Sequence, residues 1–396
     1  MLIYKSIYIY ISIFVASTIF YSIAYQIDYK NNVKSTKERI LNKIIILACL
    51  IIGILIPCVL AALRADTVGA DTSGYAVLGF KYLAQMTSLR TVIRNYSEWA
   101  FYGVGYLISR FSNNVEYFLG TIEFLIIFPV VIGGWKIRKK VCFPFFMLLF
   151  YFKFFNYSLC IMRQSISCSF IFLAYILYSE KKAIRAFMIA LIGALFHSTG
   201  FFGISIILLV ILYDRVIGNK KDKRFIDAEQ EFFAVMAVFL MSLFKGIVTI
   251  IIKFLPERYS DYMEFIYGKD AYSRYGFFES TVRIICFILI LLVFNSLSRK
   301  EKNEWKIVGY LAISGIVMYV MLFITWRVSV GYRVTEYLDY FMILFVALVP
   351  NCIKIKLGQK NMSHILLVIL FFVYWLFSYI LYPEGLGFRT EIFKFR

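Results

Sequence analysis

Apolar stretches of about 17 to 25 residues recur along the whole chain, and this repetition constrains the fold more than any other feature. A helix of that length crosses the hydrocarbon core of a bilayer. The composition agrees, because 61% of the 396 residues are hydrophobic and the mean hydropathy is +0.76. A water-soluble globule with a polar exterior is excluded. The sequence therefore predicts an all-α polytopic membrane protein.

The polar breaks between the apolar stretches indicate about twelve transmembrane helices. The first stretch is long and aromatic and lacks a small-residue cleavage site, so we expect a retained helix rather than a removed signal peptide. No internal repeat or linker divides the chain, which predicts a single integral membrane domain over residues 1–396. The predicted spans cover residues 2–25, 44–63, 114–135, 142–158, 164–179, 183–197, 199–213, 231–252, 281–297, 307–326, 334–350 and 364–381.

Lysine-rich loops alternate with loops of a different kind, and this alternation predicts the orientation in the membrane. By the positive-inside rule the lysine-rich loops are cytoplasmic, so both termini face outward. The net charge of +19 then follows from topology and requires no nucleic acid. The outward loops 64–113 and 253–280 are predicted to form a cap, and residues 97–111 suit an interfacial or re-entrant helix. The lysine-rich loops cover residues 31–39, 135–140, 180–185, 214–224, 298–306 and 353–360.

The first of four polar segments on the predicted outer side is RADTVGADTSGY, residues 64–75. Arg64 lies where topology does not favour a basic residue, and its guanidinium offers a bidentate fork for phosphate. Asp71 is a candidate base or sugar ligand, and Asp66 is a candidate substrate contact, a cap or a partner for Arg64. The two glycines and the capping side chains leave a second interpretation open, which is a well-formed helix exit.

The second and third segments place one arginine and one histidine at the same predicted face. Arg163 and Gln164 follow a break between two short spans, where irregular backbone is tolerated if it lines a cavity. The alternative is an arginine that simply extends to the interface. His197 ends an apolar run, and it is either a candidate base or a hydrogen-bonded structural residue.

The fourth segment, residues 326–340, combines Arg327 with a polar stripe on a predicted helix. Arg333, Glu336 and Tyr337 follow the i, i+3, i+4 spacing of one helix face. Ionisable groups at this depth usually face a cavity or a partner. We expect Arg327, Arg333 and Tyr337 to contact substrate, and an internal ion pair between Arg333 and Glu336 is the alternative.

The four segments share arginines, acids, one histidine and hydroxyls. The sequence contains no serine hydrolase elbow, zinc-binding helix, P-loop or dinucleotide fingerprint. The seven cysteines form no CxxC pair, so we predict no metal and no cofactor. Arginines that hold a leaving diphosphate, with a carboxylate or histidine that accepts a proton, suit an anionic lipid-linked substrate.

At these segments the chain resembles the EpsG / Wzy-type family of bacterial exopolysaccharide and O-antigen polymerases. The resemblance rests on RADTVGADTSGY at 64–75, MRQS at 162–165, ALFHSTGFF at 194–202 and RVTEYLDYF at 333–341. The pieces occur in the expected order and extend over most of the chain.

The resemblance implies a polymerase that joins oligosaccharide repeat units carried on undecaprenyl diphosphate at the outer face of the bacterial cytoplasmic membrane. It implies a fold similar to that of GT-C glycosyltransferases, and a chain-length regulator and a flippase of the same pathway as partners. We expect Arg163 and Arg333 to clamp the diphosphate with help from Arg64. Asp71 or His197 would act as base toward the acceptor hydroxyl.

One other class of protein, a transporter, and two other enzymes stay open. A flippase for the same lipid-linked sugars predicts charged residues at mid-bilayer, and Lys245 is the only clear mid-span basic residue in the sequence. An O-antigen ligase would share the lipid-diphosphate site and differ in its acceptor. A membrane O-acetyltransferase would need a cytosolic acyl donor near a histidine, which the outward placement of His197 makes awkward.

Overall fold

The computed structural model describes residues 2–30, 35–69, 71–216, 273–325, 329–357, 360–381 and 394–395. Over these residues the chain is helical apart from one short hairpin, β1 (Lys356–Leu357) with β2 (Lys360–Asn361). The α-helices are α1 (Leu2–Tyr29), α2 (Thr36–Leu63), α3 (Gly79–Gln85), α4 (Leu89–Asn95), α5 (Trp99–Ser109), α6 (Val115–Lys136), α7 (Phe143–Phe150), α8 (Asn156–Cys160), α9 (Met162–Ser179), α10 (Ala183–Ala194), α11 (Gly200–Val216), α12 (Ser273–Ser296), α13 (Arg299–Thr325), α14 (Ser329–Val346), α15 (Val349–Cys352) and α16 (Ser363–Leu381).

Seven helical segments in the described part of the chain are long and apolar enough to cross a membrane. The chain is therefore a multi-pass membrane protein. The total of twelve spans stays a prediction. The predicted spans 164–179, 183–197, 199–213 and 364–381 fall on helices that are not among the seven. The predicted span 231–252 and most of the predicted cap loop 253–280 lie outside the described residues. The seven segments are Ser6–Tyr29, Thr36–Leu63, Val115–Lys136, Phe143–Cys160, Phe277–Ser296, Arg299–Met321 and Arg333–Cys352, and shorter apolar helices occupy Ala183–Ala194 and Ser363–Tyr379.

The chain divides into two compact units. The first unit comprises Met1–Ile204 with Lys354–Arg396, and the second comprises Ser205–Ile353. The assignment of one membrane domain to the whole chain stays a prediction.

In the first unit, α1 and α2 approach each other closely at a glycine. The Tyr21 ring occupies the space that a side chain at Gly53 would need, and the Ser17 hydroxyl donates to the Gly53 carbonyl at 2.6 Å. The Ser17 and Tyr21 hydroxyls also lie 2.8 and 3.2 Å from the Tyr151 hydroxyl. These buried polar groups satisfy one another, which removes the cost of leaving a hydroxyl unpaired in an apolar interior.

The candidate span Phe143–Cys160 is interrupted by a π-helical turn over Tyr151–Phe155. Lys153 lies buried in this turn, and its ammonium donates to the Tyr374 hydroxyl at 2.8 Å and lies 4.8 Å from the centre of the same ring. The prediction that Lys245 is the only mid-span basic residue is therefore wrong. A hydroxyl and an aromatic face can stabilise a second lysine inside an apolar stretch.

The predicted outer loop 64–113 folds into a π-helical turn, Thr72–Leu78, followed by the short helices α3, α4 and α5. Gly69 precedes them with a φ of +87°, and the Leu159 carbonyl fills the place of a side chain there. Only glycine suits that combination. The 11 residues of α5 extend about 16 Å, roughly half of a bilayer core. The prediction of a helix too short to span is confirmed.

In the second unit, glycines allow α12, α13 and α14 to pack closely. Gly309 of α13 faces the ring of Phe294 of α12, and a Cβ added at Gly315 would lie 2.6 Å from the Cβ of Leu338 on α14. Small residues at such crossings are the usual means by which membrane helices approach each other, since van der Waals contact drives their association.

Candidate functional site

Arg163 lies at the beginning of α9, immediately after the helix break at Ile161. Its guanidinium forms an ion pair with the carboxylate of Glu98 and lies 3.9 Å from the centre of the Tyr75 ring. The side chain is 17% exposed and that of Glu98 is 11% exposed. The irregular backbone at Ile161 therefore presents a charged side chain, Arg163, that is still partly accessible to solvent.

Three different groups converge on the Glu98 carboxylate, which immediately precedes α5. Arg163 Nη1 donates to Oε2, and the Ser198 backbone N–H donates to Oε1 at 3.2 Å. Nε2 of His197 lies 3.5 Å from Oε1. The arrangement is a small anion-binding site that an acid of the protein occupies. We call Glu98, Arg163, His197 and Ser198 the Glu98 cluster.

The hydrogen bonds of His197 assign its tautomer. The Thr199 backbone N–H donates to Nδ1 at 3.2 Å, and the Thr199 hydroxyl lies 2.6 Å from the same nitrogen. A backbone N–H can only donate, so Nδ1 accepts and carries no proton. The proton of the neutral imidazole is therefore on Nε2, on the side that faces Glu98.

The electrostatics keep the arginine of the cluster charged. Burial disfavours the charged guanidinium, but Glu98, Tyr102 and Asp71 outweigh burial and raise the pKa of Arg163 above its ordinary value. Burial also raises the pKa of Tyr102 to about 12, although Arg163 acts in the opposite direction. The Tyr102 phenol thus stays protonated at neutral pH. Asp71 belongs to the surroundings of Arg163 through its charge.

Arg64 is placed differently from Arg163, since it is 1% exposed. Its guanidinium donates to the Ala61 carbonyl at 2.9 Å, to the Thr72 hydroxyl at 3.3 Å and to the Met162 sulfur at 3.2 Å. Its charge also acts on the buried carboxylate of Glu123. Arg64 thereby connects the end of α2 to the beginning of α9. A direct contact of Arg64 with phosphate stays a prediction.

A short extended segment of the C-terminal tail lies against the residues that follow α2. The Lys394 backbone carbonyl accepts a hydrogen bond from the Ala65 backbone N–H at 2.7 Å, and Phe395 forms a β-bridge with Arg64. Asp66, which follows Ala65, is exposed. The polar break after α2 is therefore fixed both by the arginine side chain and by main-chain pairing.

The remaining predicted site residues are distributed over both units. Gln164 is buried beside Arg163 in the first turn of α9. Arg333 is half-buried and Tyr337 is buried on α14 of the second unit. Arg327 lies outside the described residues. The structure thus brings together Arg163 and His197, with Asp71 close enough to act on the charge of Arg163.

The second unit contains its own arginine and carboxylate group, which sequence reasoning missed. Arg283 of α12 bonds both oxygens of Asp339 of α14 at 2.5 Å and Oε1 of Glu279 at 3.0 Å. Its guanidinium also lies 3.9 Å from the centre of the Tyr319 ring. Arg283 and Asp339 have side-chain exposures of 3% and 1%. We call these residues the Arg283 cluster.

Glu98 is the member of the Glu98 cluster that sequence reasoning missed. It is a single acid in the loop segment YSEWAF, residues 96–101, and no motif surrounds it. Its partner Arg163 is 65 positions away along the chain. The Arg283 cluster did carry a signal, because Arg283 lies inside a predicted span where charge is expensive. In the described residues, no group of three or more His, Cys, Asp or Glu side chains is arranged to hold a metal ion.

These features define a multi-pass membrane protein with an arginine–carboxylate pair beside short helices. A protein-family model, the EpsG family, matches residues 47–389, and the chain belongs to that family. Membership indicates a role like that of a polysaccharide polymerase. Neither the search of curated proteins nor the search of solved structures found a match.

Proposed function

We propose that the protein polymerises oligosaccharide repeat units carried on undecaprenyl diphosphate, at the outer face of the cytoplasmic membrane. The product is a surface polysaccharide such as an exopolysaccharide, a capsule or an O-antigen. The protein would act as a Wzy-type glycosyltransferase with a GT-C-like arrangement of about twelve spans and an outer cap.

The proposal rests on one observation. Arg163 and Glu98 form an ion pair at a helix break. A guanidinium that retains partial access can exchange a carboxylate for a phosphate, because its planar fork suits both anions. The predicted topology puts this helix break at the outer side. A lipid-linked diphosphate would reach it from the bilayer, where the substrate's lipid tail remains.

The reaction is a glycosyl transfer in which the diphosphate leaves. The acceptor hydroxyl of the newly arrived unit forms a bond to the anomeric carbon of the growing chain. The bond from that carbon to the phosphate oxygen breaks, and the hydroxyl proton goes to a basic group of the protein. Arg163 neutralises the charge that develops on the leaving diphosphate, which is how positioned cations accelerate such steps. A second positive charge from Arg333 stays a prediction from the sequence.

Lys153 supports a second candidate function, a flippase for the same lipid-linked sugars. A charged residue within a candidate span is the feature that such a protein requires. We favour the polymerase because Lys153 already donates to a tyrosine hydroxyl in a buried aromatic setting.

The test uses purified protein in vesicles with one defined undecaprenyl-diphosphate-linked repeat unit. A polymerase produces a ladder of lengths and releases undecaprenyl diphosphate, whereas a flippase moves the lipid without forming new bonds. A ligase produces transfer to a different acceptor only.

Arg163→Ala and Arg333→Ala should abolish elongation and leave insertion intact, with a loss of about 100-fold or more. The matched control is Arg185→Ala, an exposed arginine of the predicted cytoplasmic loop 180–185. Long polymer from both alanine variants would overturn the proposal.

A further inference from the structure

We propose that Glu98 accepts the proton of the acceptor hydroxyl, and that the substrate's diphosphate frees it for this task by taking Arg163. The inference rests on the proposed function and assigns a further catalytic residue to it. It replaces His197 as the expected base and stands as the alternative to Asp71.

The tautomer of His197 argues against that residue as the base. Nδ1 accepts a hydrogen bond from the Thr199 backbone, so the proton of the ring is on Nε2. The nitrogen that faces the cluster is therefore a donor with no free electron pair for an incoming proton. Nε2 of His197 instead lies 3.5 Å from Oε1 of Glu98, with its proton on the side of the carboxylate. It acts as a positioning residue.

Glu98 is the group on which the cluster converges. Its two carboxylate oxygens have different neighbours. Oε2 accepts a hydrogen bond from Arg163, whereas Oε1 accepts one from the Ser198 backbone N–H and lies near Nε2 of His197. If Arg163 moves to a phosphate, the Ser198 backbone N–H still holds the carboxylate through Oε1, and Nε2 of His197 lies beside the same oxygen. Oε2 is then free to take a proton.

The same exchange changes what surrounds the carboxylate. While Arg163 is paired with Oε2, its guanidinium occupies the place that an acceptor hydroxyl would need. A phosphate that engages the guanidinium vacates that place, which ties proton transfer to the presence of the donor substrate.

The step balances without any further reagent. The oxygen of the acceptor hydroxyl bonds to the anomeric carbon, and its proton moves to Oε2 of Glu98. The electron pair of the broken bond leaves with undecaprenyl diphosphate, which Arg163 holds. When the lipid diphosphate departs, Glu98 releases its proton to water and pairs with Arg163 again.

The experiment measures binding and elongation separately in the full-length protein. Glu98→Gln removes the internal anion and the base while it keeps the size of the side chain. We expect it to bind undecaprenyl diphosphate about three- to fivefold more tightly, since a partly exposed ion pair no longer competes. We expect elongation to fall by about 100-fold or more. The control is Glu116→Gln, a half-buried acid at the beginning of α6, which should leave both unchanged.

The combination of tighter binding and lost turnover separates a base from a structural residue. Elongation by Glu98→Gln within threefold of wild type overturns the inference, and so does weaker binding of undecaprenyl diphosphate. If Glu98→Gln does not accumulate, Glu98→Asp is tested instead. Its carboxylate keeps the negative charge but lies farther from Arg163, because the side chain is one methylene shorter. Tighter binding with reduced but measurable elongation supports the inference, and unchanged binding and elongation overturn it.

The two proposals fail in different ways. If wild-type protein forms no glycosidic bond, the polymerase assignment fails, and the binding arm still reports on the exchange between Glu98 and the diphosphate. If wild-type protein forms polymer and Glu98→Gln does so equally well, the polymerase assignment stands and the role of Glu98 is overturned.

Discussion

The Glu98 cluster and the Arg283 cluster use the same chemistry in opposite surroundings. Each joins an arginine on one helix to a carboxylate from a distant part of the chain, and each arginine lies 3.9 Å from the centre of a tyrosine ring. Arg163 meets one carboxylate and is 17% exposed, whereas Arg283 meets two carboxylates and is 3% exposed. Only the first arginine has both the access and the charge balance to exchange its partner for a ligand.

The contrast shows what separates a binding site from a structural clamp. The burial of the arginine and the number of carboxylates that it contacts differ between the two, whereas the residue types are the same. A fully buried ion pair costs desolvation when it forms, and breaking it leaves an uncompensated charge. A pair that retains some access to solvent costs less to open than a fully buried one. The Arg283 cluster should therefore matter for folding, and the Glu98 cluster should matter for activity.

The largest expected effect comes from breaking the buried cluster. Arg283→Met leaves Asp339 and Glu279 without their arginine and should destabilise the protein by about 3 to 5 kcal/mol. Arg163→Met, the matched variant of the partly exposed cluster, should cost less, about 1 to 3 kcal/mol, because the Ser198 backbone N–H still bonds Glu98. Thermal unfolding of both variants in detergent measures the difference. Equal loss of stability in the two variants would contradict the contrast drawn between the clusters.

A smaller effect is expected at the turn that supports the partly exposed cluster. Gly69→Ala must place a side chain at a φ of +87° against the Leu159 carbonyl and should cost about 1 to 3 kcal/mol. Gly74→Ala is the matched control, because nothing lies within 4 Å of an added Cβ there. It should leave the thermal unfolding temperature unchanged. A similar loss in both variants would show that the two glycines share one role.

The smallest effect is expected when His197 is replaced by a residue that keeps its donor. The amide nitrogen of Gln in His197→Gln can replace Nε2 as the group that holds Glu98, so elongation should fall by less than about tenfold. His197→Ala removes the donor and should lose more. Rates of polymer formation by the two variants provide the measurement. Complete loss of elongation in His197→Gln would restore His197 as the base.

Much of the fold could be predicted from sequence, because hydropathy alone locates membrane helices. Every predicted span that falls on described residues coincides with a helix, and residues 97–111 contain the short helix α5. The π-helical turn at Tyr151–Phe155 could not be predicted, since no local residue pattern distinguishes it from a regular helix. The partner of Lys153 could not be predicted either, because Tyr374 is 221 positions away along the chain.

The candidate site was predicted only in part. Position at one predicted membrane face grouped Arg163 with His197, and the structure brings both to one carboxylate. That carboxylate, Glu98, could not be foreseen, because pairing across 65 positions leaves no local pattern. Arg64 shows the reverse case, in which an unexpected arginine proves to be buried among protein acceptors.

The most direct test of the contrast is chemical modification of arginines by phenylglyoxal, followed by peptide mass spectrometry. We predict that Arg163 reacts in the free protein and is protected by undecaprenyl diphosphate. Arg283 should stay unmodified until the protein unfolds, and the exposed Arg90 and Arg94 should react with or without the lipid. Modification of Arg163 that is unaffected by undecaprenyl diphosphate, or modification of Arg283 at the same rate as Arg163, would contradict the account.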